Sequence, residues 1–238
     1  MLKNAMINIT CIAVLSEVIY QFCRRVLEKY SKRVPENSLT HALIQYYNKD
    51  ESSSFVFHKV LFFPDPGITC RRTVCGRICR DQNCSAVHKE TSLSVLINIL
   101  KLSKQTVDVC VYMITCSMLA EALVDCQKKG LMVRVITEER NSGEEGEVFG
   151  SQIGKLRSSG ISVRCRSSSF WMHHKFLIAD NEILVNGSFN WTNQAVMGNY
   201  ENLIITSEQH LVQPFVSEFQ RLWDVLAPEE FVAGNALT

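Results

Sequence analysis

No charge of one sign dominates this chain of 238 residues: 25 Lys and Arg stand against 24 Asp and Glu, a net of +1. Binding a polyanion through bulk charge is therefore excluded, and any anionic partner must be met by a local patch. A long uninterrupted apolar run is also missing. The most apolar stretch, Ala5 to Cys23, is broken by Asn8, Thr10, Ser16, Glu17 and Gln21. A carboxylate near the centre of a spanning helix costs on the order of 2.5–3.5 kcal/mol. No small-x-small cleavage site follows this stretch, which argues against a removed signal peptide. Its length nonetheless matches the roughly 20 residues that cross a bilayer. Lys3 precedes it and Arg24-Arg25 follow it, an arrangement that keeps the bulk of the chain cytoplasmic. Residues 1–27 are expected to form a membrane-anchor helix and 28–54 a polar tether.

What is present is unevenly distributed. From Phe55 to Thr137 there are 11 Lys and Arg against 6 Asp and Glu, whereas Glu138, Glu139, Glu144, Glu145 and Glu147 cluster just afterwards. One face can therefore be basic in a neutral chain. Cys11, Cys23, Cys110, Cys116, Cys126 and Cys165 are scattered, mostly through apolar stretches, and read as free thiols of a reducing compartment. The other four, Cys70, Cys75, Cys79 and Cys84, crowd together, and His88 follows. Structural zinc takes four Cys or His ligands as a tetrahedron, often closely spaced in sequence. Cys79, Cys84 and His88 supply three, with Cys70 or Cys75 as the fourth. Arg71, Arg72, Arg77, Arg80 and Lys89 make this insert, 70–88 with its edges, basic.

The run from His173 to Asn190, HHKFLIADNEILVNGSFN, has the pattern H-x-K-x4-D-x6-G-S-x-N. Side chains alternate along a strand, so His173 and Lys175 are expected on one face and His174 on the other. A nucleophile or base beside a fixed cation suits phosphoryl transfer. Asp180 has the opposite parity to His173 and sits with Asn181 where a tight hairpin turn is expected. The pattern occurs once; His58-Lys59 and His88-Lys89 have the wrong spacing.

These residues resemble the HKD signature of the phospholipase D superfamily at His173, Lys175, Asp180, Gly187, Ser188 and Asn190, and the pair Glu201-Asn202 resembles one carried by its small nucleases. Gly150 to Leu156, Met172 to Phe176 and Gly187 to Thr192, with the anchor and the Cys/His insert, are similar to the Zucchini branch, the mitochondrial cardiolipin hydrolases. The resemblance implies catalytic roles for His173, Lys175, Asp180, Ser188, Asn190 and Glu201. His173 attacks phosphorus to give a phosphohistidine, Glu201 holds its second ring nitrogen, and Lys175 and Asn190 bind the developing charge. It implies a homodimer that completes one site from single motifs, a structural zinc and no catalytic metal. It implies a place in the mitochondrial outer membrane, facing the cytosol. The implied substrates are single-stranded RNA in piRNA biogenesis or, as the alternative, cardiolipin.

Pattern and turn signals predict strands over 55–63, 107–114, 132–137, 161–165, 173–179, 182–186 and 203–206. They predict helices over 40–47, 91–102, 117–129, 151–159 and 208–226, with Gly130 and Gly160 closing two of them. The expected class is α/β, a phospholipase D-like mixed sheet flanked by helices over 55–230, with a short tail at 231–238.

Overall fold

The computed structural model describes residues 38–48, 55–138, 149–166 and 170–227. The expected anchor, most of the tether, the acidic run after Glu138 and the tail lie outside these residues. Among the described residues no helix is long and apolar enough to cross a membrane. The chain divides into two compact units, Met1–Gln45 and Tyr46–Thr238. The helix α1 (Leu39–Tyr47) spans the division, and every strand belongs to the second unit.

Seven strands form one mixed sheet in the order β1-β7-β6-β5-β2-β3-β4. They are β1 (His58–Phe63), β2 (Thr106–Val111), β3 (Met132–Glu138), β4 (Ser162–Arg166), β5 (Lys175–Ala179), β6 (Ile183–Gly187) and β7 (Glu201–Thr206). β2, β3 and β4 are parallel, joined by α4 (Ser117–Lys128) and α5 (Ile153–Ser158). The remaining pairings are antiparallel. α3 (Ser92–Leu102) packs on α4, and α4 on β3. The strand residues Val107, Val109, Val135, Leu177 and Val185 share one parity and are buried. The opposite parity, Cys110, Ile136, Phe176, Ile178 and Leu184, packs on α7 (Gln209–Val225) through Val212, Phe219 and Leu222.

Local chemistry explains where elements stop. Thr91 caps α3 reciprocally: its hydroxyl accepts from Ser94 N–H, and Ser94 Oγ accepts from Thr91 N–H. Gly130 (φ 88°) and Gly160 (φ 81°) end α4 and α5 in the left-handed region, as their sequence position predicts. The β5–β6 turn puts Asp180 and Asn181 at φ 55° each, and Glu182 N–H donates to Ala179 C=O at 2.9 Å. Asp and Asn tolerate that conformation best among residues with a Cβ.

Some strand boundaries differ from expectation. β5 starts at Lys175, so His173 lies in the segment leading into it; pairing with β2 ends at Val111↔Lys175, because β2 stops there rather than at Ile114. Tyr112 N–H still donates to His174 C=O at 3.1 Å, which keeps the lead-in alongside β2. β7 begins at Glu201 rather than Leu203, since its pairing with β1 runs on to Phe63. Two helices were not expected, α2 (Arg71–Val74) and α6 (Asn193–Met197), both too short to show a helical period.

Two contacts fix the register around the hairpin. The Asp180 carboxylate accepts three consecutive backbone N–H groups, those of Lys104 (2.9 Å), Gln105 (2.7 Å) and Thr106 (2.9 Å). At the other end of β6, a Cβ on Gly187 would stand 2.1 Å from the carbonyl oxygen of Asn202. Asp180→Ala is expected to lower stability by about 2–3 kcal/mol, read as a fall in melting temperature of roughly 5–10 °C. Gly187→Ala must push β6 from β7 and is expected to cost at least about 1–3 kcal/mol in denaturant titration.

Candidate active site

Antiparallel pairing decides which ends of which strands meet. The C-terminal ends of β1, β2 and β6 and the N-terminal ends of β5 and β7 all lie at one end of the sheet, as the pairs Phe63↔Glu201, Val111↔Lys175 and Gly187↔Leu203 require. That end therefore collects His173, Lys175, Ser188, Asn190 and Glu201 from three separate stretches of chain. Asp180 is at the opposite end of β5, occupied by the N–H groups of residues 104–106. The sequence leaves Asp180 between a catalytic role and holding the turn; the contacts it makes here are those of the turn.

His173 is exposed, with its ring 5.4 Å from that of Tyr112 and 6.1 Å from that of Trp171. The Lys175 ammonium donates to the backbone carbonyl of His173 at 3.0 Å and stands 5.7 Å from the Tyr112 ring. Both side chains thus gather at Tyr112, the shared face that alternation predicts. His174 takes the other face: its ring meets Phe176 edge-on, and its Nε2 is 3.6 Å from Glu218 on α7. Partial burial holds the Lys175 ammonium below its ordinary pKa, and the negative charge of Glu201 pulls the other way.

The segment after β6 is tied to the segment after β2. Trp191 N–H donates to Met113 C=O at 3.0 Å, and the N–H groups of Thr115 and Cys116 donate to Trp191 C=O at 2.9 and 2.8 Å. This lattice of main-chain bonds carries Asn190 to the site, where its Oδ1 is buried without a hydrogen-bond partner. A buried amide left open in this way is suited to a ligand group. Because amide O and N are assigned from hydrogen bonding, the same position can present Nδ2.

Glu201 is arranged differently from expectation. Its two oxygens take Ser188 Oγ and Asn199 Nδ2 (3.1 Å). No hydrogen bond joins it to His173 among the described residues. Ser188 Oγ also accepts from Asn202 N–H at 3.2 Å, so this hydroxyl links β6 to β7 under the Glu201 side chain. Sequence reading missed Tyr112 and Trp171. Tyr112 lies far from the motif in sequence, and its only local signal is its place at the end of a buried strand.

The cysteine insert leaves the sheet at the same end, from the end of β1. The sulfurs of Cys70, Cys79 and Cys84 and a ring nitrogen of His88 all lie within 4.8 Å of one another. That is the size and donor chemistry of a four-coordinate site for zinc, so these residues fit the metal the sequence suggests. Cys75, the alternative fourth ligand, is excluded from the cluster: it caps the C-terminus of α2 and is exposed. The N–H of Thr73 at the start of α2 is the main influence pulling the Cys70 thiol down to about 6, towards the thiolate that a metal takes. The Cys79 thiol is raised, because burial and the neighbouring Cys84 and Cys70 outweigh the N–H of Asp81.

Comparison with known proteins agrees with this geometry. Residues 96–223 match the family described as cardiolipin synthase, PLD-like domain. The chain is 38% identical to the mitochondrial cardiolipin hydrolase of Chlamydomonas reinhardtii, over 70% of this chain and 73% of that protein. It is 37% identical to that of Xenopus tropicalis, over 73% and 80%, and 33% identical to that of Homo sapiens, over 73% and 69%. The fold is similar to Nuc of Salmonella typhimurium, a phospholipase D family member, with a TM-score of 0.55 and 22% identity over 71% of this chain and 95% of the other. NucT from Helicobacter pylori gives the same TM-score at 20% identity, over 71% and 97%. The chain belongs to the phospholipase D-like family and is a phosphodiesterase of the group that includes the mitochondrial cardiolipin hydrolases.

Proposed function

We propose that this protein is a homodimeric endoribonuclease that cuts single-stranded RNA through a phosphohistidine at His173. The observation that carries the reading is the convergence of His173, Lys175 and the buried, unpartnered Asn190 Oδ1 at one end of the sheet, with the Lys175 ammonium on the His173 carbonyl. An imidazole nitrogen of His173 attacks phosphorus and the P–O3′ bond breaks. The leaving oxygen takes a proton from His173 of the partner subunit, which then removes a proton from water as water attacks the phosphohistidine. The P–N bond breaks, and the product keeps a 5′-phosphate. Lys175 and Asn190 donate to the non-bridging oxygens as charge builds on them. Glu201 is a positioning residue: it fixes Ser188 and Asn199 and sustains the charge on Lys175.

Cys70, Cys79, Cys84 and His88 would hold zinc, which when bound supplies a rigid crosslink in place of a hydrophobic core. Arg72, Arg77 and Arg80 are exposed on that insert, and Phe55 to Thr137 is the basic part of the chain, which supports a phosphate backbone as the guest. The names of the relatives support the mitochondrion; the anchor expected over residues 1–27 and the resemblance to the Zucchini branch support an outer-membrane enzyme facing the cytosol and acting in piRNA biogenesis. A second reading, hydrolysis of cardiolipin to phosphatidic acid, is favoured by the names of those relatives. Both readings use the same chemistry.

Side-by-side turnover of single-stranded RNA, single-stranded DNA and cardiolipin liposomes separates them. RNA cleavage is expected to fall by about 10³-fold or more in His173→Ala and Lys175→Ala with the dimer retained; lipid turnover without RNA cleavage would falsify the nuclease reading. Glu201→Gln removes a charge that raises the Lys175 pKa, so the alkaline limb of kcat/KM should move to lower pH; an unmoved limb means that Glu201 does not act through Lys175. Elemental analysis should find one zinc per chain, reduced in Cys79→Ser and unchanged in Cys75→Ser.

A further inference from the structure

Beside His173 the chain exposes aromatic surface that the chemistry above does not use. Trp171 is 55% exposed and Phe170 is 74% exposed, although Met172 between Trp171 and His173 is buried. The pattern has a cause. Met172 N–H donates at 2.7 Å to the carboxylate of Glu138, itself buried at the end of β3, and Met172 Sδ lies 3.5 Å from the buried Cys110 thiol. With Met172 pinned inward, alternation turns both Trp171 and His173 outward on the same side. The indole is tilted 44° to the Tyr112 ring at 6.0 Å and 41° to the His173 ring at 6.1 Å, so neither neighbour stacks on its face. Lys175 stands over the same Tyr112 ring at 5.7 Å. Among the described residues nothing stacks on the indole, so a flat π-surface sits two residues from the nucleophile, sharing the Tyr112 ring with a cation that a phosphate would neutralise.

We infer that Trp171, backed by Tyr112, is a stacking face for a nucleobase adjoining the scissile phosphate, and so sets the preference for unpaired strands. The inference rests on the nuclease reading. A base can lie on the indole only when it is unstacked from its neighbours, which a duplex does not permit without opening. Any base has a π-face, so this contact selects single strands without selecting sequence. The other guest for exposed aromatics is the head-group zone of a membrane. The placement of Trp171 beside His173, around the Tyr112 ring that Lys175 also meets, favours the base.

The test compares KM for the full-length dimer on a single-stranded RNA and on matched strands carrying one abasic residue at each position around the cut. For the wild type, an abasic residue at one flanking position should raise KM by about 5- to 150-fold. In Trp171→Ala the normal and abasic strands should have equal KM, and Trp171→Phe should restore part of the difference. Trp191 is buried and Trp223 stacks on Phe219. Binding of uncleaved RNA to His173→Ala should therefore quench mainly Trp171 fluorescence. If the wild type cuts RNA but does not discriminate against abasic strands, the stacking face is overturned and the nuclease reading stands. If the wild type turns over cardiolipin and not RNA, both fall. Loss of binding to cardiolipin vesicles in Trp171→Ala, with RNA discrimination intact, would reassign the aromatic face to the membrane.

Discussion

The fold around the site depends on the grip of one carboxylate on the main chain. Asp180 closes the β5–β6 turn and takes the N–H groups of Lys104, Gln105 and Thr106 just where β2 begins. Fixing that corner sets the register of β5 against β2, and register in a sheet is all or nothing: a slip by one residue turns every side chain to the other face. His173 and Lys175 would then face α7, and His174 would take the place beside Tyr112. The residue furthest from the chemistry within the motif thus determines whether the motif presents its imidazole or buries it.

The second constraint is closeness. Gly187 lets β6 approach the backbone of Asn202 where no side chain could fit, and Ser188 and Glu201 are joined across that narrow gap. The motif's Gly-Ser pair is a device for close packing followed by a bond across the join. Arg134 does comparable work on the α7 side. It makes a bidentate pair with the buried Asp108, its neighbour in register, and covers Phe219 and Trp223. Its guanidinium satisfies a buried charge and seats the final helix at once.

Much of this was legible in the amino-acid order, for definite reasons. The seven strands and the longer helices follow from periodicity, and Gly130 and Gly160 mark helix ends because few other residues adopt their backbone angles. The face shared by His173 and Lys175 follows from alternation even though β5 begins only at Lys175. Illegible were features set by tertiary contact. The short α2 decides that Cys70 joins the cluster of Cys79, Cys84 and His88 while Cys75 stays out. The partners of Glu201 depend on how close β6 lies to β7. Tyr112 reaches the site because β2 and β5 are adjacent, a fact that no local window contains.

The cysteine insert departs and returns at nearly one point. Asp65, buried, accepts from the N–H groups of Ser92 and Leu93, Thr69 pairs with Val87, and the hydroxyls of Thr69 and Thr91 meet at 2.7 Å. The excursion between them is a loop with a locked neck. Its length and content can vary at the modest cost of closing a longer or shorter ring, with no strain passed to β1 or α3. A segment built in this way is a cassette: evolution can exchange what it carries, the Cys/His cluster and basic residues included, while the end of the sheet that gathers His173 and Lys175 keeps its geometry.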